Sequence, residues 1–347
     1  MNITVIGAGA WGTALAISLA ANHRVTLWAR DAAQIEEMRS IRCNQRYLPD
    51  ISLSDKLELS ADFVAALAAA DLAIIAAPTA ALRSILQQIA LLSDHKSGGL
   101  KTGHFDGLRT GFGVVWACKG FEAETSQLPH HVSAEVLPEG MRCGVLSGPS
   151  FALEVAKGLP TAMVLASADA EFARSTAQAL HHARLRIYAS SDVIGVEVGG
   201  AVKNVMAIAA GISDGMGLGH NARAALLTRG LAEITRLGLK LGGRPETLSG
   251  LSGAGDLILT CTGDLSRNRQ VGLLLAHQHD LPGILRKLGH VAEGVYTVRE
   301  VHQLAQRQGV AMPISEAVYR ILYEQVPAVD MVAELLNRAP DMEFNGE

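Results

Sequence analysis

NITVIGAGAWGTALAISLAAN, residues 2–22, decides the fold. NITVI is a short β-branched apolar run of the kind that forms a buried strand, and TALAISLAAN has the alanine-rich character of a helix. Between them stand Gly7, Gly9 and Gly12 in the spacing G-x-G-x-x-G. Alone that spacing describes no more than a tight turn. Between a strand and a helix it lets backbone N–H groups reach a pyrophosphate at the helix N-terminus, where the dipole favours negative charge. The segment therefore reads as the opening of a dinucleotide-binding α/β domain.

Working outward, similar runs recur at HRVTLWA 23–29, LAIIAAP 72–78, GVVWACK 113–119 and CGVLSGP 143–149, separated by helical, alanine-rich patterns. That alternation predicts a parallel sheet with crossover helices. TAMVLAS 161–167 and RLRIYAS 184–190 bracket a helical segment, 169–182, and extend the same sheet, so the first domain ends near residue 190. Beyond it the strand signals stop, and apolar residues recur at helical spacing through 193–210, 222–238, 294–308 and 314–324. The expected fold is α/β: a Rossmann-type doubly wound sheet over 1–190, followed by an all-helical domain over 191–340. Gly195, Gly199 and Gly200 fall inside the first helix of that second domain, where each costs about 0.8–1.0 kcal/mol against Ala. Close packing or a nearby ligand is implied. Residues 91–113, rich in Gly, Ser and charge, read as a long surface loop, and the polar tail 339–347 as frayed.

With 347 residues, two packed cores are expected rather than one. Hydrophobic residues at 49% and charged residues at 18% describe a globular chain. A net charge of -4 provides no general basic field, so nucleic acid is not an expected partner. Cys43, Cys118, Cys143 and Cys261 are far apart and suggest neither a zinc cluster nor a disulfide framework, which fits a reducing cytoplasm. No secretion signal is readable at the N-terminus. The apolar stretch 63–77 is interrupted by Asp71, and no membrane insertion is expected.

Several positions carry chemistry. Arg30 lies eighteen positions beyond Gly12, at the end of the second strand, and suits a 2′-phosphate; Asp31 beside it could serve ribose hydroxyls. Lys119 follows the strand run VVWAC, at the carboxyl edge where open α/β sheets bind ligands. In SGPSFA 147–152, Gly148 and Pro149 shape a turn, and Ser150 can cap the next helix. Lys203 is the one cation in the apolar helix VEVGGAVKNVMAIAAGI, beside Asn204. A buried lysine loses its preference for the charged form and so becomes a general base near neutral pH; a stem that snorkels to solvent is the bland alternative. In SGLSGAGDLILTCTGDLSRNRQVG 249–272, Asp256 and Thr260 share a helical face, and Ser266, Arg267 and Asn268 follow in a turn-like stretch. Arg267 offers a planar fork for a phosphate dianion. His130, His131, His181, His182, His277 and His279 read as solvated, and no metal site is apparent.

Together GAGAWGTALA, Lys119-Gly120, SGPSFA, EVGGAVKNVMAIAAGI, GAGDLILTCTGDLSRNR and VAEG resemble, in order and over nearly the whole chain, the bacterial type of NAD(P)-dependent glycerol-3-phosphate dehydrogenase. The resemblance implies a substrate site in the cleft between the two domains and an NAD(P) cofactor. By position, Lys203 would be the proton acceptor. Lys119, Asp256 and Asn204 would surround the reacting carbon, with Thr260 a weaker candidate. Gly148, Ser150, Ser266, Arg267 and Asn268 would hold a phosphorylated small-molecule substrate. Gly7, Gly9, Ala10, Trp11, Gly12, Arg30, Ala152, Val291 and Glu293 would line the cofactor, with Lys119 and Arg267 reaching both ligands. It further implies a cytoplasmic homodimer supplying glycerol 3-phosphate for glycerophospholipids. The loop 95–113 is longer than expected for the family, and Ala10 stands where serine is common. The rival readings are a hydroxy-acid dehydrogenase of the same architecture, which substrate profiling separates, and a non-catalytic NADP sensor, which would need no cleft lysines.

Overall fold

Each apolar run read as a strand in the first 190 residues is one in the computed structural model, which describes residues 1–94, 107–277, 280–288 and 292–337. The order is β1 Asn2–Ile6, α1 Ala10–Leu19, β2 Arg24–Trp28, α2 Ala32–Ile41, β3 Cys43–Asn44, β4 Leu48–Ser52, β5 Leu57–Ser60, α3 Phe63–Leu67, β6 Leu72–Ile75 and α4 Leu82–Asp94. After it come β7 Gly113–Trp116, α5 Pro129–Val136, β8 Arg142–Ser147, α6 Ala152–Ala156, β9 Thr161–Ala166, α7 Ala170–Leu180 and β10 Leu185–Ser190. Eight strands form one sheet in the order β10-β9-β8-β7-β6-β1-β2-β5, while β3 and β4 pair as a separate antiparallel hairpin. The strand order reverses between β1 and β6, which makes their carboxyl ends the crevice where such sheets bind ligands.

Three details differ from the sequence reading. The sheet is not wholly parallel, because β9 runs antiparallel to β8. Their connection contains only the five-residue α6, which at about 1.5 Å per residue cannot carry the chain back along the sheet, so β9 starts where β8 ended. The full-length α7 then returns β10 parallel to β9. Second, β3, β4 and β5 were passed over, being short and half polar. Third, α4 continues to Asp94 within the stretch read as loop. Residues 95–106 and the tail 339–347 lie outside the described residues.

The second half is helical throughout its described residues: α8 Val193–Gly215, α9 Gly219–Lys240, α10 Pro245–Ser249, a π turn at Leu251–Gly255, α11 Asp256–Thr262, α12 Arg267–Ala276, α13 Leu281–Leu288, α14 Glu293–Gln308, α15 Pro313–Tyr323 and α16 Ala328–Leu336. Capped by Asp192, which accepts from the Gly195 N–H at 2.9 Å, α8 is buried at every residue from Gly195 to Ser213. It is long and apolar enough to cross a bilayer, but 89% of that apolar window is buried inside the protein. Helices α9, α10, α11, α12, α14 and α15 pack against it. At the crossing with α12, a Cβ on Gly211 would sit 2.1 Å from the Arg269 carbonyl oxygen, and one on Gly272 would sit 2.0 Å from that of Ile208, so two glycines bring the backbones into direct contact.

Candidate active site

The Gly-rich turn after β1 is shaped for a ligand that approaches backbone. Gly7 has φ +116, which L side chains rarely adopt, and a Cβ there would lie 2.8 Å from the Ala76 carbonyl oxygen across the crevice between β1 and β6. Gly12 packs closely enough that its Cβ would fall 1.9 Å from the Gly7 carbonyl oxygen. Gly9 is different, because a Cβ there meets nothing within 4 Å. It is the N-cap of α1, and the first turn of that helix has neither a side-chain cap nor an acidic residue. An open cradle above uncapped N–H groups fits a pyrophosphate. Gly9→Ala should therefore leave the melting temperature unchanged while sharply raising KM for the dinucleotide. A matching loss of stability would mean that Gly9 serves packing instead. Ala10, Trp11 and Ala152 come together where α6 packs on α1, around buried Ala14 and Val155.

Arg30 is exposed at the turn after β2. Asp31 caps α2 through Oδ1, which accepts from the Ala33 N–H at 3.0 Å and the Gln34 N–H at 3.4 Å, and the residue is exposed.

Three elements bring the catalytic candidates into contact. Lys119, just past β7, donates to the Gly148 carbonyl at 3.0 Å and to Asp256 Oδ2 at 2.8 Å. Lys203, on α8, donates to Asp256 Oδ1 and to Thr260 Oγ1, the latter at 2.9 Å. Thr260, one turn after Asp256 on α11, donates to the Asp256 carbonyl at 2.6 Å. One carboxylate, 1% exposed, thus joins two ammonium groups delivered by the two halves of the chain. A π turn leads directly into Asp256, as is frequent at functional sites. Burial lowers the Lys203 pKa to about 8; Asp256 opposes that shift and Lys119 reinforces it.

The other substrate candidates cluster in two groups. Gly148 has φ +134, with its Cβ position 3.0 Å from Met163 Cα, so the turn that presents its carbonyl to Lys119 needs glycine. Ser150 donates to that same carbonyl at 2.9 Å and does not cap α6, whose N-cap is Phe151. In the second group Ser266, Arg267 and Asn268 start α12 rather than forming a free turn. Ser266 is its N-cap, accepting from the Arg269 N–H at 3.3 Å, and Arg267 is exposed in the first turn. Both ends of the Asn268 amide are engaged: Nδ2 donates to Asn204 Oδ1 at 3.0 Å, and Oδ1 accepts from the Gly294 N–H at 3.0 Å. This ties α8, α12 and α14 together and leaves the Asn204 Nδ2 group to donate elsewhere. Burial pushes the neighbouring Glu293 carboxyl up, opposed by Arg267, Lys119 and Lys203. Val291 lies outside the described residues.

His130 is not solvated: its Nδ1 lies 2.6 Å from Glu197 Oε2. His182 Nε2 is 3.0 Å from Ser18 Oγ, whereas His131, His181 and His277 are exposed and His279 is outside the described residues. Glu197, missed in the sequence, carried a signal like the one that picked out Lys203, a charged residue within an apolar stretch of helix.

The two halves of the chain match two family models, NAD-dependent glycerol-3-phosphate dehydrogenase N-terminus over residues 2–173 and C-terminus over residues 192–333. A glycerol-3-phosphate dehydrogenase [NAD(P)+] of Thiobacillus denitrificans is 57% identical over 344 residues, 99% of this chain and 100% of that one. One from Nitrosomonas eutropha is 55% identical over 343 residues, 99% of each. The crystal structure of glycerol-3-phosphate dehydrogenase from Coxiella burnetii superposes with a TM-score of 0.88 at 40% identity, covering 97% of this chain and 99% of that one.

Proposed function

Because this chain belongs to the NAD-dependent glycerol-3-phosphate dehydrogenase family, we propose that it interconverts sn-glycerol 3-phosphate and dihydroxyacetone phosphate using NAD(P)+ and NAD(P)H. The observation that carries the reading is the Asp256 carboxylate shared by Lys119 and Lys203 at the meeting of the two domains. A phosphorylated ketone needs a proton donor and fixed cations near one oxygen, and this arrangement supplies both.

In the oxidative direction Lys203, as the neutral amine, accepts the proton of the secondary hydroxyl; in the reductive direction its ammonium returns a proton to the carbonyl oxygen. Lys119, held by Gly148 and Asp256, adds positive charge beside that oxygen as it becomes an oxyanion. Asp256 fixes the spacing of the two lysines, and Thr260 fixes the Lys203 head group. Arg267 and the start of α12 hold the phosphate, assisted by the Asn204 amide. The nicotinamide, when bound, supplies or takes up the hydride. Gly7, Gly9 and Gly12 would hold its pyrophosphate, with Ala10, Trp11, Ala152 and Glu293 lining the rest.

The physiological direction in this reading is reduction, in the cytoplasm, by a homodimer whose product supplies glycerophospholipid backbones. Arg30 favours acceptance of NADPH. Arg30→Ala should weaken NADPH more than NADH in steady-state kinetics, and equal losses for both would remove the 2′-phosphate assignment. The reading as a whole is tested by NAD(P)H consumption with dihydroxyacetone phosphate. Turnover of a 2-keto acid in its place would favour the hydroxy-acid rival.

A further inference from the structure

Six positions before Lys203 on α8, Glu197 is a carboxylate with a side chain 2% exposed. Burying a charge is expensive, and an apolar residue of similar volume would pack this site without that cost, so its three contacts matter. Oε1 accepts from Trp116 Nε1 at 2.8 Å and from the His130 backbone N–H at 3.1 Å, while Oε2 meets His130 Nδ1 at 2.6 Å. Trp116 ends β7, three residues before Lys119. His130 is the second residue of α5, whose N-cap, Leu128, has no side-chain hydrogen bond to give. Glu197 therefore caps α5 from another element and grips the chain on both sides of Lys119. Between Glu197 and Lys203 on α8, Gly200 faces the Lys119 stem, where an added Cβ would lie in ordinary contact, 3.6 Å from Lys119 Cγ. Glu197, Gly200, Lys119, Cys118 and Ser147 line a crevice with no room for a water molecule, so in the intact protein these contacts are made directly between protein groups.

We propose that Glu197 is a positioning residue: it locks the strand end and helix that flank Lys119 onto α8, and so sets the distance between Lys119 and Lys203 across Asp256. This inference rests on the roles proposed above for those lysines. A 1 Å misplacement can cost a reaction about 10²-fold, so Glu197→Ala should lower kcat by about 10- to 100-fold. Cofactor affinity should fall much less than kcat, because the Gly-rich turn that would hold the pyrophosphate is not part of the clamp. The primary deuterium isotope effect from labelled NADPH should rise as the chemical step becomes slower. Glu197→Gln keeps an acceptor oxygen for Trp116 and the His130 N–H, and should restore most of kcat. Trp116→Phe deletes one donor and keeps an aromatic ring in the site, though without the second ring of the indole, and should show a smaller loss of kcat with a rise in isotope effect in the same direction.

A folded Glu197→Ala protein with wild-type kcat overturns the proposal, as does loss of kcat and cofactor affinity together without rescue by Gln. Should the alanine variant not fold, Trp116→Phe decides: wild-type kcat and isotope effect there overturn it. Lys203→Met, made in parallel, separates the two levels. If it is active, the lysine assignment fails; if it is inactive while Glu197→Ala is normal, only the clamp does.

Discussion

Lys203→Met is expected to lower kcat by at least about 10³-fold, with the protein folded and still binding NAD(P)H, since general acid–base groups contribute about 10²–10⁴-fold and lost charge at the oxyanion adds to that. Methionine reproduces the length of the stem but carries no proton, so it should be as inactive as alanine. The pH dependence gives an independent check. Burial places the Lys203 pKa near 8, within reach of neutral pH. For alcohol oxidation the neutral amine is required, so kcat/KM should rise as pH increases through about 8. For ketone reduction the ammonium is required, so the rate should fall over the same interval. Lys119 and Asp256 are in contact with this group, so the observed midpoint belongs to the cluster. A methionine variant with near-normal kcat would leave Lys203 as a packing residue and move the proton to Lys119 or Asp256.

Much of this was legible in the sequence, because buried strands and a buried lysine leave local marks. NITVI, LAIIAAP and GVVWACK are apolar enough to announce strands covered on both faces. Lys203 stood out because nothing else in its helix carries positive charge. Strand direction left no such mark: the antiparallel β9 follows from the length of α6, a property of the connection rather than of the strand. Capping was misread for a related reason. Ser150, Ser266 and Asp31 can each hydrogen-bond a nearby backbone or a ligand, and residue type does not say which. The structure turns Ser150 to the Gly148 carbonyl, Ser266 to α12 and Asp31 to α2. The engagement of both ends of Asn268 depends on α8 and α14 arriving from distant sequence, which no local pattern encodes.

The glycines of α8 were legible as close approaches, though not what they approach, and there the second large effect is expected. A Cβ on Gly199 would lie 2.5 Å from the Ser252 carbonyl oxygen, 3.0 Å from its carbon and 3.1 Å from Gly253 Cα. These are backbone atoms, so no side-chain rotation relieves the clash. The π turn is itself tightly wound, since a Cβ on its own Gly253 would be 1.8 Å from the Leu248 carbonyl oxygen, so it has little room to deform locally. Gly199→Ala must therefore push α8 and the turn apart, and overpacking of this kind typically costs about 1–3 kcal/mol. Asp256 follows the turn directly and Lys203 lies one helical turn along α8, so the separation opens the contact between them. The expected result is a lower melting temperature together with a fall in kcat of about 10²-fold. Gly200→Ala is the informative partner. Its Cβ would come within 2.7 Å of Ser147 Oγ, a buried hydroxyl with no hydrogen-bond partner that is able to rotate away. It should be the milder of the two in both thermal melts and turnover. Wild-type stability and kcat in Gly199→Ala would show that α8 and the π turn have slack, and that the position of Asp256 is set by something other than this contact.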